Sequence, residues 1–95
     1  MKTIIESNYK STVDRGLISP NTTALQFIDK IYEEIAELEE SYSIIEEKPA
    51  KKEYFDNFNE ELADIILVCL NCAKHFNIDI EKELENKIAK NFKRS

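Results

Sequence analysis

The chain has one glycine, two prolines, one histidine, two cysteines and no tryptophan in 95 residues. A single glycine cannot build a glycine-rich phosphate loop, which excludes P-loop and dinucleotide-fingerprint chemistry. So little glycine and proline also leaves too few turn residues for a sandwich or barrel, and all-β architectures fall with them. Cys69 and Cys72 are too few for a disulfide framework and fit a reducing compartment. They make a C-x-x-C only in form: a redox dithiol sits at a helix N-terminus, where the dipole lowers the thiol pKa. These two fall mid-helix in an apolar arc and read as small buried hydrophobes. Adding His75 gives three ligands on one helix, one short of a structural zinc site, so His75 reads as a helix-end residue. No Ser/His/Asp arrangement can be argued. The longest apolar run, Ile65 to Leu70, is far below a membrane span, and MKTIIESNYK has neither the apolar core nor the cleavage site of a secretory signal. A soluble, cytoplasmic protein with no membrane partner is expected.

Positive charge is also scarce. Thirteen Lys and Arg stand against nineteen Asp and Glu, a net charge of -6. Nucleic acid polymers and anionic lipids bind through Lys and Arg that replace counterions, so neither is an expected partner. A small polyanion could bind only if something cationic supplied the missing charge. The balance of 42% hydrophobic and 34% charged residues is globular. At this length it implies a single domain over 1–95 with a small core, which oligomerisation would enlarge.

What the chain does have is helix-forming sequence, in four segments. The first is expected from about Thr3 to Arg15, with Ile4, Ile5, Tyr9 and Val13 apolar, ending at Gly16 and Pro20. Asn21, Thr22 or Thr23 can cap the second. That helix carries the clearest apolar stripe, Leu25, Ile28, Ile31, Tyr32, Ile35, Leu38 and Tyr42, at steps of three and four. The segment EEKPAKKEYFDN, with Pro49 and a charge run, reads as a solvated loop. Asn57 with Glu60 resembles a capping box that opens the third helix, which reaches His75 or Phe76. Asn77 and Asp79 supply a turn and a cap for a fourth helix with Ile80, Leu84, Ile88 and Phe92 on one face, running to the C-terminus. The fold class is all-α, a four-helix bundle-like protomer.

Fourteen glutamates make most Glu pairs meaningless, because a Glu-rich helix face is usually a solvated one. Position decides which matter. With Glu61 at zero on the third helix, Cys72, Ile65, Phe76 and Cys69 fall at about 20°, 40°, 60° and 80°, and Val68 at about -20°. Glu61 therefore lies inside the apolar arc, with Asp64 at its edge and Asn71 slightly beyond. With Glu34 at zero on the second helix, Leu38, Ile31 and Ile35 fall at about 40°, 60° and 100°, and Glu37 at about -60°. Glu33 and Glu40 face away. If the two helices pack antiparallel through their stripes, Glu34, Glu37, Glu61 and Asp64 converge at one rim. Ionised carboxylates among apolar neighbours cost several kcal/mol unless paired or bound to metal. No Lys or Arg is evident on these stripes, whereas a hard divalent cation could neutralise them, and carboxylate-only ligation selects Mg²⁺ or Mn²⁺ over Zn²⁺. The alternative is a Glu61 that tilts to a surface groove or meets a lysine of another helix.

The two motifs read EEIAELEE (33–40) and EELAD (60–64), an E-x-x-E pair followed after a loop by E-x-x-D. Downstream, NIDIEKELENKIAKNFKR places Asp79, Lys87, Asn91 and Arg94 at the spacing of an Asp-led final helix with K-x-x-x-N-x-x-R. This resembles the MazG-like all-α nucleoside triphosphate pyrophosphohydrolases, relatives of the dimeric dUTPases and phosphoribosyl-ATP pyrophosphohydrolases. The resemblance covers residues 22–94; residues 1–21 are less diagnostic. It implies Mg²⁺ on Glu34, Glu37, Glu61 and Asp64, substrate phosphates near Lys87, Asn91 and Arg94, and a homodimer or dimer of dimers. Glu33 matches the family's first Glu but points away on the helical wheel. The implied reaction is attack of a metal-activated water on the α-phosphorus of a (d)NTP, giving (d)NMP and pyrophosphate, with Glu37 the preferred proton acceptor. Alternatives are phosphoribosyl-ATP hydrolysis and a non-catalytic acidic helical interaction protein. Lys90 and Lys93 are expected only to complement the helix dipole. Tyr9, Phe27 and Tyr32 could stack on a base, but core packing is the expected job of each.

Overall fold

A computed structural model of the chain describes residues 1–94. Four helices follow one another, α1 (Lys2–Asp14), α2 (Ala24–Glu47), α3 (Lys52–His75) and α4 (Ile80–Arg94), with no strand among the described residues. Ser95, at the end of the expected fourth helix, lies outside them. The all-α reading holds.

Local chemistry sets the boundaries. Gly16 ends α1 in the left-handed region at φ 76°, where a side chain would be strained. Thr23 opens α2 with a reciprocal capping box: its hydroxyl accepts from the Gln26 N–H at 3.2 Å and its own N–H donates to the Gln26 amide oxygen at 2.8 Å. Asn77, at φ 56°, makes the turn after α3, and Asp79 Oδ1 accepts the Lys82 N–H at 3.2 Å to cap α4.

One boundary corrects the sequence reading. EEKPAKKEYFDN is mostly helix: α2 continues to Glu47 and α3 starts at Lys52, so only residues 48–51 connect them. Asn57 lies inside α3 and caps nothing. Pro49 is the sole breaker in the segment. Beyond it a Lys52–Asp56 ion pair of 2.8 Å at i,i+4 and the half-buried Tyr54 and Phe58 support helix.

The connection of 48–51 is short enough to make α2 and α3 antiparallel neighbours, and this seam is the main packing of the molecule, with α1 laid against α3. Among the described residues Phe27, Leu70, Ala73 and Ile18 are the buried apolar ones, and no large side chain is completely buried. Much of α1's attachment is polar. Asn71 of α3 accepts from the Asn8 amide at 2.8 Å and donates to the Thr12 hydroxyl at 3.1 Å, while Asn8 also donates to the Leu67 carbonyl. His75 Nε2 meets the Thr22 carbonyl at 2.9 Å, and a carbonyl only accepts, so this nitrogen carries the proton. Nδ1 is then free to accept from the Tyr9 hydroxyl at 2.8 Å. His75 thus ends α3, as expected, and also ties it to α1 and to the α1–α2 loop.

α1 covers one side of the α2/α3 layer only. Relative to the seam, Leu67 and Asn71 lie about 80–120° round to α1's side, while Leu62, Ile66 and Cys69 lie about 80–140° round the other way. The latter three are exposed, as are Ile28, Tyr32, Ile35 and Tyr42 of α2. Two expectations are corrected here. Tyr32 is 68% exposed rather than packed in a core, and Cys69 is exposed with Cys72 half-buried rather than both being buried. The apolar arcs are wider than one neighbouring helix can cover. On α4 every residue from Glu81 to Arg94 is exposed, so the Leu84 and Ile88 stripe meets no core of its own chain.

Because Asn71 holds α1 with both ends of its amide, Asn71→Ala removes the partner that Asn8 and Thr12 share at a buried contact, leaving Asn8 its bond to the Leu67 carbonyl and the Thr12 hydroxyl its bond to the Asn8 carbonyl. Urea unfolding is expected to show a loss of about 1–3 kcal/mol; a change within about 0.5 kcal/mol, ordinary for a surface substitution, would show that the network does not seat α1.

Candidate metal centre

The helical phase that places Glu34 and Glu61 on their apolar arcs also brings them face to face across the α2/α3 seam, and Asp64 joins them one turn along α3. One carboxylate oxygen from each of the three lies within 4.8 Å of the other two. Glu34 is only 6% exposed, Glu61 is half-buried and Asp64 is exposed, so the cluster grades from interior to solvent.

Two oxygens, Glu34 Oε2 and Glu61 Oε2, are buried without a donor among the described residues. The Lys30 ammonium reaches the other oxygen of Glu34, at 3.2 Å, and the nearby acids of the trio, when ionised, accept rather than donate. A buried acceptor left unmatched costs about 1–3 kcal/mol, and more when charged. The oxygens ligating one Mg²⁺ at about 2.1 Å can be no more than about 4.2 Å apart, so slight side-chain rotation would close these three onto a single ion. The donor set, all oxygen, suits a hard divalent cation.

Glu37 is exposed and stands beside this trio rather than in it. Hydrogen bonding with Glu34 and the charge of Glu34, then Glu61, hold its carboxyl above the usual carboxylate range. Glu33 faces out, as the helical wheel indicates, its side chain 67% exposed.

Sequence reasoning missed Lys30. One turn before Glu34 on α2, its Nζ lies 3.2 Å from Glu34 Oε1 and 3.4 Å from Glu33 Oε2. The hydrogen bond to Glu34 raises its pKa, which keeps it charged. The i,i+4 spacing was the available signal. On the helical wheel Lys30 falls about 40° from Glu34, nearer than Glu37, but a search confined to apolar and acidic positions passes over it.

Beside the trio, a cavity of about 630 Å³ opens between α1, the α1–α2 loop, α2 and α3. Glu34 and Asp64 line it together with Asn8, Thr12, Asn71 and the ring of Phe27. Tyr9 and Phe27 are taken up by contacts with His75, as expected of packing residues. Lys87, Asn91 and Arg94 lie on the exposed α4, and none of them lines this cavity. Burial pushes the Cys72 thiol up, the opposite of an activated dithiol.

No protein-family model, curated protein or solved structure matches this chain.

A raised pKa means that the folded chain holds the Glu37 proton more tightly than the unfolded chain. The linked stability is present below the ordinary carboxylate range and is lost as pH rises through the raised value. Glu37→Gln is therefore expected to raise the melting temperature of the metal-free protein at about pH 7.5 and to change it little at about pH 4. A melting temperature lowered at the higher pH would show that Glu37 is not under like-charge repulsion.

Proposed function

We propose that the chain is a Mg²⁺-dependent nucleoside triphosphate pyrophosphohydrolase of the MazG-like kind, with Mn²⁺ able to substitute. The observation that carries this reading is the pair of buried, donorless oxygens of Glu34 and Glu61, which meet across a helix seam with Asp64 beside them. An acidic helix surface would leave such groups in water. The choice of a nucleotide substrate, and of the α-phosphorus as the point of attack, comes from the E-x-x-E and E-x-x-D spacing and its resemblance to that family.

In this reading Glu34, Glu61 and Asp64 hold the ion. When bound, Mg²⁺ supplies charge neutralisation for the triphosphate oxygens and a lowered pKa for water. Glu37, beside the ligands, is the carboxylate assigned to accept the proton of the attacking water as the oxygen–phosphorus bond forms in line and pyrophosphate departs. The seam excludes water from the inner oxygens of Glu34 and Glu61, which strengthens their hold on a cation.

Pyrophosphate release from a panel of (d)NTPs with Mg²⁺ tests the activity. Glu61→Gln is expected to lose at least about 100-fold, since it removes a charged ligand from the reacting centre. Equal background release by wild type and variant would overturn the reading and favour a non-catalytic acidic interaction protein. Turnover of phosphoribosyl-ATP in preference to the panel would move the substrate assignment to that relative.

The exposed apolar residues opposite α1 favour self-association. A second copy would lay its own α2/α3 layer on this one, forming a four-helix core about a twofold axis and leaving the carboxylates and their cavity, on the α1 side, open to solvent. Sedimentation equilibrium is expected to show a dimer or dimer of dimers at micromolar concentrations, and Ile66→Lys is expected to weaken it at least about tenfold, a charge having to be buried. A wild type that is monomeric throughout would refute this.

A further inference from the structure

Lys30 and Arg15 are the cations on the wall of the cavity beside the carboxylates, Lys30 from α2 and Arg15 from the end of α1. A cavity of about 630 Å³ is within the range of small-molecule sites. Its rim is acidic where Asp29, Glu33, Glu34 and Asp64 line it, so a polyanion entering it meets repulsion except at these two side chains. Lys30 is held where it is by Glu34 Oε1 at 3.2 Å and Glu33 Oε2 at 3.4 Å. It serves as the counter-ion of a carboxylate that is otherwise buried. Arg15 gives one N–H to the Ser11 carbonyl at 3.4 Å and pairs with no carboxylate among the described residues.

We infer that Lys30 is an exchangeable counter-ion: it neutralises Glu34 until a divalent cation takes that carboxylate, and then turns its ammonium, with the Arg15 guanidinium, onto the polyphosphate of the substrate. This rests on the metal reading above and adds the phosphate-binding groups of the same site. Three features support it. The Lys30 side chain is 52% exposed, with solvent beside it to turn into once Glu34 is taken, whereas the Glu34 side chain is only 8% exposed and is held in the seam. A divalent ion and an ammonium compete for the same Glu34 charge, and two-point ligation with Glu61 favours the ion. Once released, an ammonium at the cavity wall is a point charge suited to phosphate, and the guanidinium lining the same cavity offers a planar fork. The basic residues of α4 stand outside this cavity in the same chain.

The exchange predicts opposite effects on two ligands from one substitution. Mn²⁺ binding without nucleotide, followed by calorimetry or electron paramagnetic resonance, is expected to tighten several-fold in Lys30→Gln, because the competing cation is gone. Inorganic tripolyphosphate binding at saturating Mg²⁺ is expected to weaken roughly tenfold in the same variant, the worth of one charge-assisted hydrogen bond. Arg15→Gln is expected to weaken tripolyphosphate similarly while leaving Mn²⁺ affinity unchanged. Circular dichroism checks that both variants fold, and the exposure of both side chains favours this. Unchanged or weaker Mn²⁺ binding in Lys30→Gln would overturn the exchange, as would tripolyphosphate binding that depends on Lys87 and not on Lys30 or Arg15. Wild type that binds no Mn²⁺ would overturn the metal reading itself, a distinguishable result.

Discussion

Burying the Glu34 carboxylate in the α2/α3 seam is the constraint on which the rest of the molecule turns. A carboxylate at 6% exposure, with one oxygen on a lysine and the other without a donor, is costly in a chain whose core is this small. Glu61 adds a second unmatched oxygen directly opposite. Two well-packed leucines would hold these helices together better. On the metal reading proposed above, the arrangement is a site prepared for positive charge, its local cost offset by what the ion does there.

The surrounding structure keeps that site open. α1 is seated by Asn8, Thr12 and Asn71, and by Tyr9 with His75, more than by apolar burial. A polar attachment of this kind fixes the direction of α1 while leaving a cavity next to the carboxylates, where close apolar packing would have filled it. The opposite side of the layer is apolar and bare. The two faces are thus divided, one polar and concave beside the carboxylates, the other apolar and exposed.

Helical phase made much of this legible in advance. Glu61 inside its apolar arc and Asp64 at the edge needed only 3.6 residues per turn, and the same counting turned Glu33 outward. Thr23 and Asp79 were readable as caps because short polar side chains at those offsets satisfy free N–H groups. The errors share a different cause. Pro49 and neighbouring charges suggested a long loop, yet a helix resumes as soon as the proline is passed, with Lys52 and Asp56 paired and Tyr54 and Phe58 finding partners. Tyr32 and Cys69 were assigned to a core because they lie on apolar arcs, but an arc does not say how much of itself a neighbour covers. Lys30 escaped notice although its helical phase, about 40° from Glu34, was readable, because only apolar and acidic positions were followed round the wheel.

Residue spacing by itself determined the four helices and which carboxylates share a face, because both depend on rotation about a single helix axis. Only tertiary structure decided that one oxygen each of Glu34 and Glu61 is buried without a donor among the described residues, that Glu37 stands beside the trio, that Lys30 and Arg15 border the cavity, and that α4 does not. Those facts depend on the separation between helices, which is set by packing across the seam and by the polar contacts that seat α1, and no one-dimensional periodicity carries that distance.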